Sequence, residues 1–266
     1  MHSAVRLPHI LITNDDGIQA PGLTLLAEIA QEFANEVWVV APEHDQSGCA
    51  QTITLNKPLQ YIVQGEKRWA VSGTPNDCIA LALSYLMPKN KKPSLILSGI
   101  NPGANIGDEV NLSGTVGGAF TGLMLDIPAI GISQACSARN NIPWTTSRVV
   151  VPKVLHALLA QGWRKETCLS VNIPNLPPEE ITGFSWARQS HKNIRGINVE
   201  KRSSPREQDY FWLSIDRKDP THFPNSENAI LRRGEVSITA LGLDRSIEVD
   251  KASVTFNETE LVISDE

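Results

Sequence analysis

His9-Ile10-Leu11-Ile12-Thr13-Asn14-Asp15-Asp16-Gly17 is the stretch that decides the fold. Its apolar run is unbroken rather than alternating, which suits a parallel strand covered on both faces. It then breaks at once into two adjacent carboxylates and a glycine. Further along, Leu23, Leu26, Ala27 and Ala30 repeat at helical spacing in a segment from about Ala20 to Ala34. Val37 to Ala41 (VWVVA) repeats the buried-strand pattern, and Ile53–Leu55, Leu59–Val63 and Trp69–Val71 read as shorter strands or hairpins. A helix is predicted after Thr74-Pro75, with Thr74 as its cap and Pro75 in the first turn. There follow a strand at Leu95–Leu97, a Gly/Ala-rich helix from about Gly117 to Leu125, and a strand at Ala129–Ile132. A helix within about 146–160 and a strand at Leu169–Ile173 complete the series. Strand and helix alternating in this way predict an open, doubly wound, mostly parallel α/β sheet.

The composition changes after Pro174-Asn175-Leu176-Pro177-Pro178. From there to about Pro224 the chain is charged and punctuated by proline, with one strand-like island at Tyr210-Phe211-Trp212-Leu213-Ser214-Ile215. The expected organisation is therefore an α/β body over residues 1–188, a protruding β-rich arm over 189–224, and a segment over 225–266 that returns to the body through a strand at Val236–Leu241. A lone two-stranded hairpin is marginal in water, so the apolar side chains of the arm call for a covering surface. Exchange of the arm between subunits of a homodimer, or of a homotetramer built as a dimer of dimers, is the expected solution.

A chain of 266 residues with 41% apolar side chains can bury a substantial core, and it is neither disordered nor collagen-like. Lys+Arg 24 against Asp+Glu 29 gives a net charge of -5, which argues against a nucleic-acid polymer as partner. No apolar run approaches the ~18–20 residues needed to cross a bilayer, so no membrane association is expected. The opening MHSAVRLPHILITNDD reaches two carboxylates too soon to hold a signal-peptide core and cleavage site. Cys49, Cys78, Cys136 and Cys168 show no C-x-x-C or metal-finger spacing, and reduced thiols in a cytoplasmic protein are expected.

Four loops could carry chemistry, each following or lying close behind a predicted strand. In Thr13-Asn14-Asp15-Asp16-Gly17, adjacent carboxylates repel unless a positive charge sits beside them, and hard Mg²⁺, Mn²⁺ or Ca²⁺ is the usual solution. The competing reading is that Asp15 or Asp16 caps the next helix. In Pro42-Glu43-His44-Asp45-Gln46-Ser47-Gly48, Ser47 offers a hydroxyl and Gly48 a close-approaching amide to a metal or an anion. His44 is a candidate acid, although a lone loop histidine is more often solvated. Ser98 to Gly107 supplies neutral oxygen ligands or amide donors from Asn101 and Asn105, against the reading of an ordinary turn. Its glycines do not match G-x-G-x-x-G, and no G-x-x-x-x-G-K-[ST] occurs elsewhere. Leu112 to Ala119 leads into a helix, where Ser113, Gly114 and Thr115 offer unsatisfied amides to a phosphate or serve as a plain cap.

In open parallel sheets, ligands bind outside the carboxyl ends of the strands where strand order reverses. The four loops lie on or near that edge, so oxygen ligands for a cation and a cradle for an anion would meet there. That combination suits a metal-dependent phosphate-ester hydrolase.

The stretches ITNDDGIQAPG, APEHDQSG, VSGTPNDCIALAL, LILSGINPGANIGDEVNLSGTVGGAFTG and VNIPNLPPEEITG closely resemble the SurE family, in the family's order from about Leu7 to Leu241. The resemblance implies a Rossmann-like α/β fold with a C-terminal extension used in oligomer formation. It implies a metal-dependent phosphatase acting on nucleoside 5′-monophosphates and in some members on short polyphosphate. One divalent ion per subunit, Mn²⁺ or Mg²⁺, would be held by Asp15, Asp16, Ser47 and Asn101. Asp15 and Asp16 would also be catalytic, while Asn14, Gly48, Asn105, Ser113, Gly114 and Thr115 would contact phosphate or substrate. The sequence departs from the family at His44 for a frequent Arg, Glu109 for Asp, Leu112 for Tyr, Thr121 for Glu and Glu235 for Tyr. An exopolyphosphatase and a non-catalytic metal–nucleotide binder are the rival expectations.

Overall fold

The computed structural model describes residues 6–139, 141–206, 208–219 and 223–246. Strand β1 (Leu7–Thr13) sits near the middle of a nine-stranded sheet, and its side chains alternate between two covered faces. Ile10 and Ile12 enter one buried cluster with helices α1 (Pro21–Ala30) and α4 (Trp144–Gln161). Leu11 enters the other, with α2 (Pro75–Leu81) and α3 (Gly114–Met124). This is why the run in β1 is unbroken: neither face meets water.

The remaining strands are β2 (Ala34–Pro42), β3 (Tyr61–Gly65), β4 (Arg68–Val71), β5 (Leu95–Pro102), β6 (Ala129–Gln134), β7 (Cys168–Ile173), β8 (Gly183–Ala187), β9 (Ile194–Ser203), β10 (Asp209–Arg217) and β11 (Glu235–Leu241). The main sheet runs β3-β4-β2-β1-β5-β6-β7-β11-β8. It is parallel from β4 through β7, with β3 antiparallel to β4 at one edge and β11 antiparallel to β7 near the other. From β1 the chain moves outward to β2 and β4, then crosses through α2 to β5 on the other side of β1. The reversal opens a crevice between the carboxyl ends of β1 and β5, the expected ligand position.

The sheet, the helices after Thr74 and before Leu125, and the returning strand agree with the sequence expectation. Thr74 forms a reciprocal capping box with Asp77, as its position before Pro75 predicted. Other expectations need correction. Ile53–Leu55 is not a strand: Leu55 is 90% exposed, and Thr54 is held instead by its backbone N–H and hydroxyl on the Asp77 carboxylate. The first helix stops at Ala30 rather than near Ala34, because the chain turns through Glu32 and Phe33 directly into β2. Where one strand-like island was expected after Pro178, the chain forms β8, β9 and β10, followed by a short helix α5 (Glu227–Arg232). β8 joins the main sheet beside β11, whereas β9 and β10 make a separate antiparallel hairpin. Of the expected C-terminal segment 225–266, residues 247–266 lie outside the described residues, as do residues 1–5 of the opening stretch. No helix among the described residues is long and apolar enough to cross a membrane.

Candidate active site

The loop after β1 is a tight polar turn. Asn14 is fully buried and its side-chain NH₂ donates to the Gly17 carbonyl at 3.0 Å. Asp15 is buried, and its Oδ1 accepts a 2.5 Å hydrogen bond from the Thr115 hydroxyl. Thr115 lies in the first turn of α3, whose cap is Ser113, accepting from the Val116 N–H at 3.0 Å. Ser113 thus caps the helix through its oxygen, and Thr115, itself without exposed surface, steers Asp15. Gly114 has to be glycine here: a Cβ would lie 2.6 Å from Cys49 Sγ and 2.7 Å from Asp15 Cβ.

The loop after β2 is stitched to both neighbours. The Gln46 N–H donates to the Asp15 carbonyl at 2.7 Å, and the Ala50 N–H to the Leu112 carbonyl at 3.1 Å. Asp45 accepts from the Ser47 N–H at 2.7 Å and so shapes the turn that presents Ser47 and Gly48. In the loop after β5, Asn101 donates to the Gly103 carbonyl at 2.6 Å. Asn105 is fixed from β7 and β6: its N–H donates to Asn172 Oδ1 at 2.8 Å and its side-chain NH₂ to Ser133 Oγ at 2.9 Å.

These loops bound an open cleft of about 940 Å³. Asp15, Ser47, Gly48, Asn101, Asn105 and Ser113 line it, together with Arg139 from the loop after β6. Asn14, Asp16, Gly114 and Thr115 are not part of the lining. His44 is also outside it, with its side chain 81% exposed.

Burial pushes the Asp15 carboxyl above its usual range, against the pull of the Thr115 hydrogen bond. Asp16 is pushed up to about 8, first by burial and then by the charges of Asp15 and Asp45, while Arg139 opposes the shift. Neither carboxylate forms an ion pair among the described residues. Asp16 Oδ2 is buried with no hydrogen-bond partner among the described residues. Two neighbouring carboxylates, one with an orphaned buried oxygen, have the charge of Arg139 nearby but no ion-pair partner among the described residues, a place that a hard cation would fill. The donor set fits such an ion: two carboxylates, a serine hydroxyl and an asparagine amide oxygen are all hard ligands. No cluster of three or more His, Cys, Asp or Glu side chains suited to a metal occurs among the described residues, so the neutral donors matter. Cys49, beside Asp15, is pushed up to about 12 by burial and by that carboxylate, which keeps it a thiol rather than a nucleophile.

Sequence reasoning assigned no role to Asp45, Arg139, Asn172, Ser133 or Glu109. Glu109 receives a bidentate contact from Arg217 at the end of β10, from Nε to Oε1 at 3.0 Å and from Nη2 to Oε2 at 2.8 Å. Asn193 Oδ1, just before β9, accepts from the Asp108 N–H at 2.7 Å. The hairpin is thereby rooted beside the cleft. The available signal for Arg139 was its position in the loop after β6, on the same sheet edge as the acids.

An open α/β sheet with a carboxylate pair, small hydroxyl residues and a helix N-terminus at its switch point defines a Rossmann-like protein with an oxygen-lined cleft. The family model described as "Survival protein SurE" matches residues 10–196, and the chain belongs to that family. It is 41% identical over 237 residues to a protein named 5′-nucleotidase SurE 1 of Burkholderia lata, covering 89% of this chain and 91% of that one. A 5′-nucleotidase SurE of Bradyrhizobium diazoefficiens is 40% identical, over 90% of this chain and 95% of its own. The crystal structure of the SurE protein from Aquifex aeolicus superposes with a TM-score of 0.76 at 34% identity, covering 90% of this chain and 95% of that chain.

Proposed function

We propose that this chain is a divalent-metal-dependent 5′-nucleotidase, releasing phosphate from nucleoside 5′-monophosphates. The observation that carries the reading is the pair Asp15/Asp16, without an ion-pair partner among the described residues, at the switch point of the sheet beside the first turn of α3. The names of the Burkholderia and Bradyrhizobium relatives support the same chemistry. In this reading Asp15, Asp16, Ser47 and Asn101 hold one Mn²⁺ or Mg²⁺. A bound cation of this kind supplies Lewis acidity and charge neutralisation at the phosphoryl group.

The protein's own groups do the rest. The Ser113 hydroxyl and the Gly114 amide, at the positive end of α3, would bind the phosphate oxygens, while Thr115 acts through Asp15, whose carboxylate takes both its hydroxyl and its backbone N–H. Gly48 adds an unobstructed backbone amide, and the Asn105 amide closes the rim. Thr115 keeps Asp15 in one rotamer through its hydroxyl. The acid pair also orients the water that attacks phosphorus in line.

The wider setting is proposed on the same terms. The body and arm divide near residue 188, and the arm joins subunits into a homodimer or homotetramer. All four cysteines are free, two of them buried, which suits a reducing cytoplasm.

A hydrolysis panel of AMP, GMP, CMP, UMP and short polyphosphate, run on metal-stripped protein with Mn²⁺, Mg²⁺ or EDTA, tests the proposal. Nucleotide hydrolysis restored by metal is expected. Hydrolysis unaffected by EDTA removes the metal, a strong preference for polyphosphate makes the protein an exopolyphosphatase, and binding without turnover makes it a binding protein.

A further inference from the structure

The cleft has a second wall, built by the root of the hairpin and by α5. Leu213 pairs with Val199 and Ile215 with Ile197, so these apolar side chains share one face of the hairpin. Ile197, Leu213 and Ile215 line the cleft, and Leu213 is 69% exposed there. Asn228 of α5 lines it too, and its side-chain NH₂ is buried with no hydrogen-bond partner among the described residues. A buried donor left unpaired costs about 1–3 kcal/mol, so it calls for an explanation.

The position of Asn228 is fixed by its neighbour. Glu227 has no exposed surface, and its Oε2 accepts from the backbone N–H groups of Gly107 at 2.7 Å and Ser190 at 3.1 Å. Its Oε1 accepts from the Thr239 hydroxyl at 3.1 Å. Gly107 ends the loop that carries Asn101 and Asn105. One buried carboxylate therefore locks α5 to the loop on the acid side and fixes the next residue, Asn228, in the wall of the cleft. At about 940 Å³ the cleft is of a size to take a whole nucleotide rather than a phosphate alone.

We infer that Asn228 is a substrate-positioning residue that reads the nucleoside. Its amide donates to an acceptor on the base or ribose, and Ile197, Leu213 and Ile215 give the base an apolar wall. The inference rests on the nucleotidase reading. A contact this far from the breaking P–O bond holds ground state and transition state alike, so its loss raises KM and spares kcat.

The test is steady-state kinetics of the full chain with Mn²⁺, comparing wild type, Asn228→Ala and Asn228→Gln. The substrates are AMP, GMP, UMP, ribose 5-phosphate and p-nitrophenyl phosphate. Asn228→Ala is expected to raise KM for nucleotides about tenfold with kcat nearly unchanged, to leave p-nitrophenyl phosphate untouched, and to be partly rescued by Gln. A parallel loss on ribose 5-phosphate assigns the acceptor to the sugar, and no loss there assigns it to the base. Equal changes on nucleotides and p-nitrophenyl phosphate, or none on nucleotides, would overturn the inference. A wild-type protein that cleaves p-nitrophenyl phosphate but no nucleotide defeats the nucleotidase reading itself. Nucleotide hydrolysis that is indifferent to Asn228→Ala defeats the role of Asn228 alone.

Discussion

The loops at the carboxyl edge of the sheet and the β9–β10 hairpin place side chains in opposite ways. At the edge, Asn14 and Thr115 have no exposed surface and every loop is tied to its neighbour by backbone or buried polar bonds. On the hairpin, Phe211, Trp212 and Leu213 are 58%, 61% and 69% exposed, and apolar residues occur on both faces. The first region is held by its own contacts, as a reacting centre needs. The second carries apolar surface that its own two strands cannot bury, as a docking element does. Substitutions in the two regions should therefore fail in different measurements.

The largest effect is expected at the edge. Asp16→Asn should lower kcat/KM about 10³-fold, roughly 4 kcal/mol, by removing a cation ligand, with circular dichroism unchanged. A loss below tenfold in a phosphate-release assay would break the assignment of Asp16. Next comes the clamp between the two regions. Glu227→Ala leaves the buried Gly107 and Ser190 N–H groups unpaired and should cost about 3 kcal/mol in urea unfolding, whereas Glu227→Gln should cost about 1 kcal/mol.

A pH experiment sharpens the contrast further. The folded-state value of Asp16 is raised from 3.8 to about 8, so its protonated form is favoured on folding. For metal-free protein, stability from this group is fully present below 3.8 and is lost as pH rises through about 8. EDTA-treated protein should melt at lower temperature at high pH than at mildly acid pH, and Asp16→Asn should flatten that slope. An identical slope in the variant would place the pH dependence elsewhere. The smallest effect on the fold is expected from the hairpin. Phe211→Asp with Leu213→Asp should shift the stability of the body by no more than about 0.5 kcal/mol. The same pair should lower the mass seen by light scattering from an oligomer to a monomer, and a monomeric wild type would refute exchange of the arm.

What the sequence revealed follows the same division. HILIT and VWVVA were legible because buried parallel strands need unbroken apolar runs, and Thr74-Pro75 because a cap is written in adjacent residues. Asp15, Asp16, Ser47 and Asn101 could be gathered on one edge because their loops directly follow strands. The strand Ile194–Ser203 went unread because only Ile194, Ile197 and Val199 in it are apolar, and it ends in Glu-Lys-Arg-Ser with solvent on both sides. Helix α5, with six residues, is too short for periodicity to register. Asn228 and Glu227 belong to the cleft only through tertiary contacts such as Gly107–Glu227, which spans 120 residues. Nothing in local sequence marks such a pairing.

β8 and β11 are parallel neighbours in the sheet, yet the entire hairpin is inserted in the chain between them. The register of Glu235 on Gly183 through Thr239 on Ala187 makes no use of what lies between. Loop-closure entropy grows slowly, about 0.6 kcal/mol for each doubling of length, so the hairpin can lengthen or shorten at little cost in closure as long as the Glu227 clamp that follows it is kept. In evolutionary terms the hairpin is a cassette held between two fixed brackets. Its outer part presents exposed apolar side chains, while its root lines the cleft. A single exchange of the cassette would change that surface and one wall of the cleft together, leaving the polar edge of the sheet as inherited.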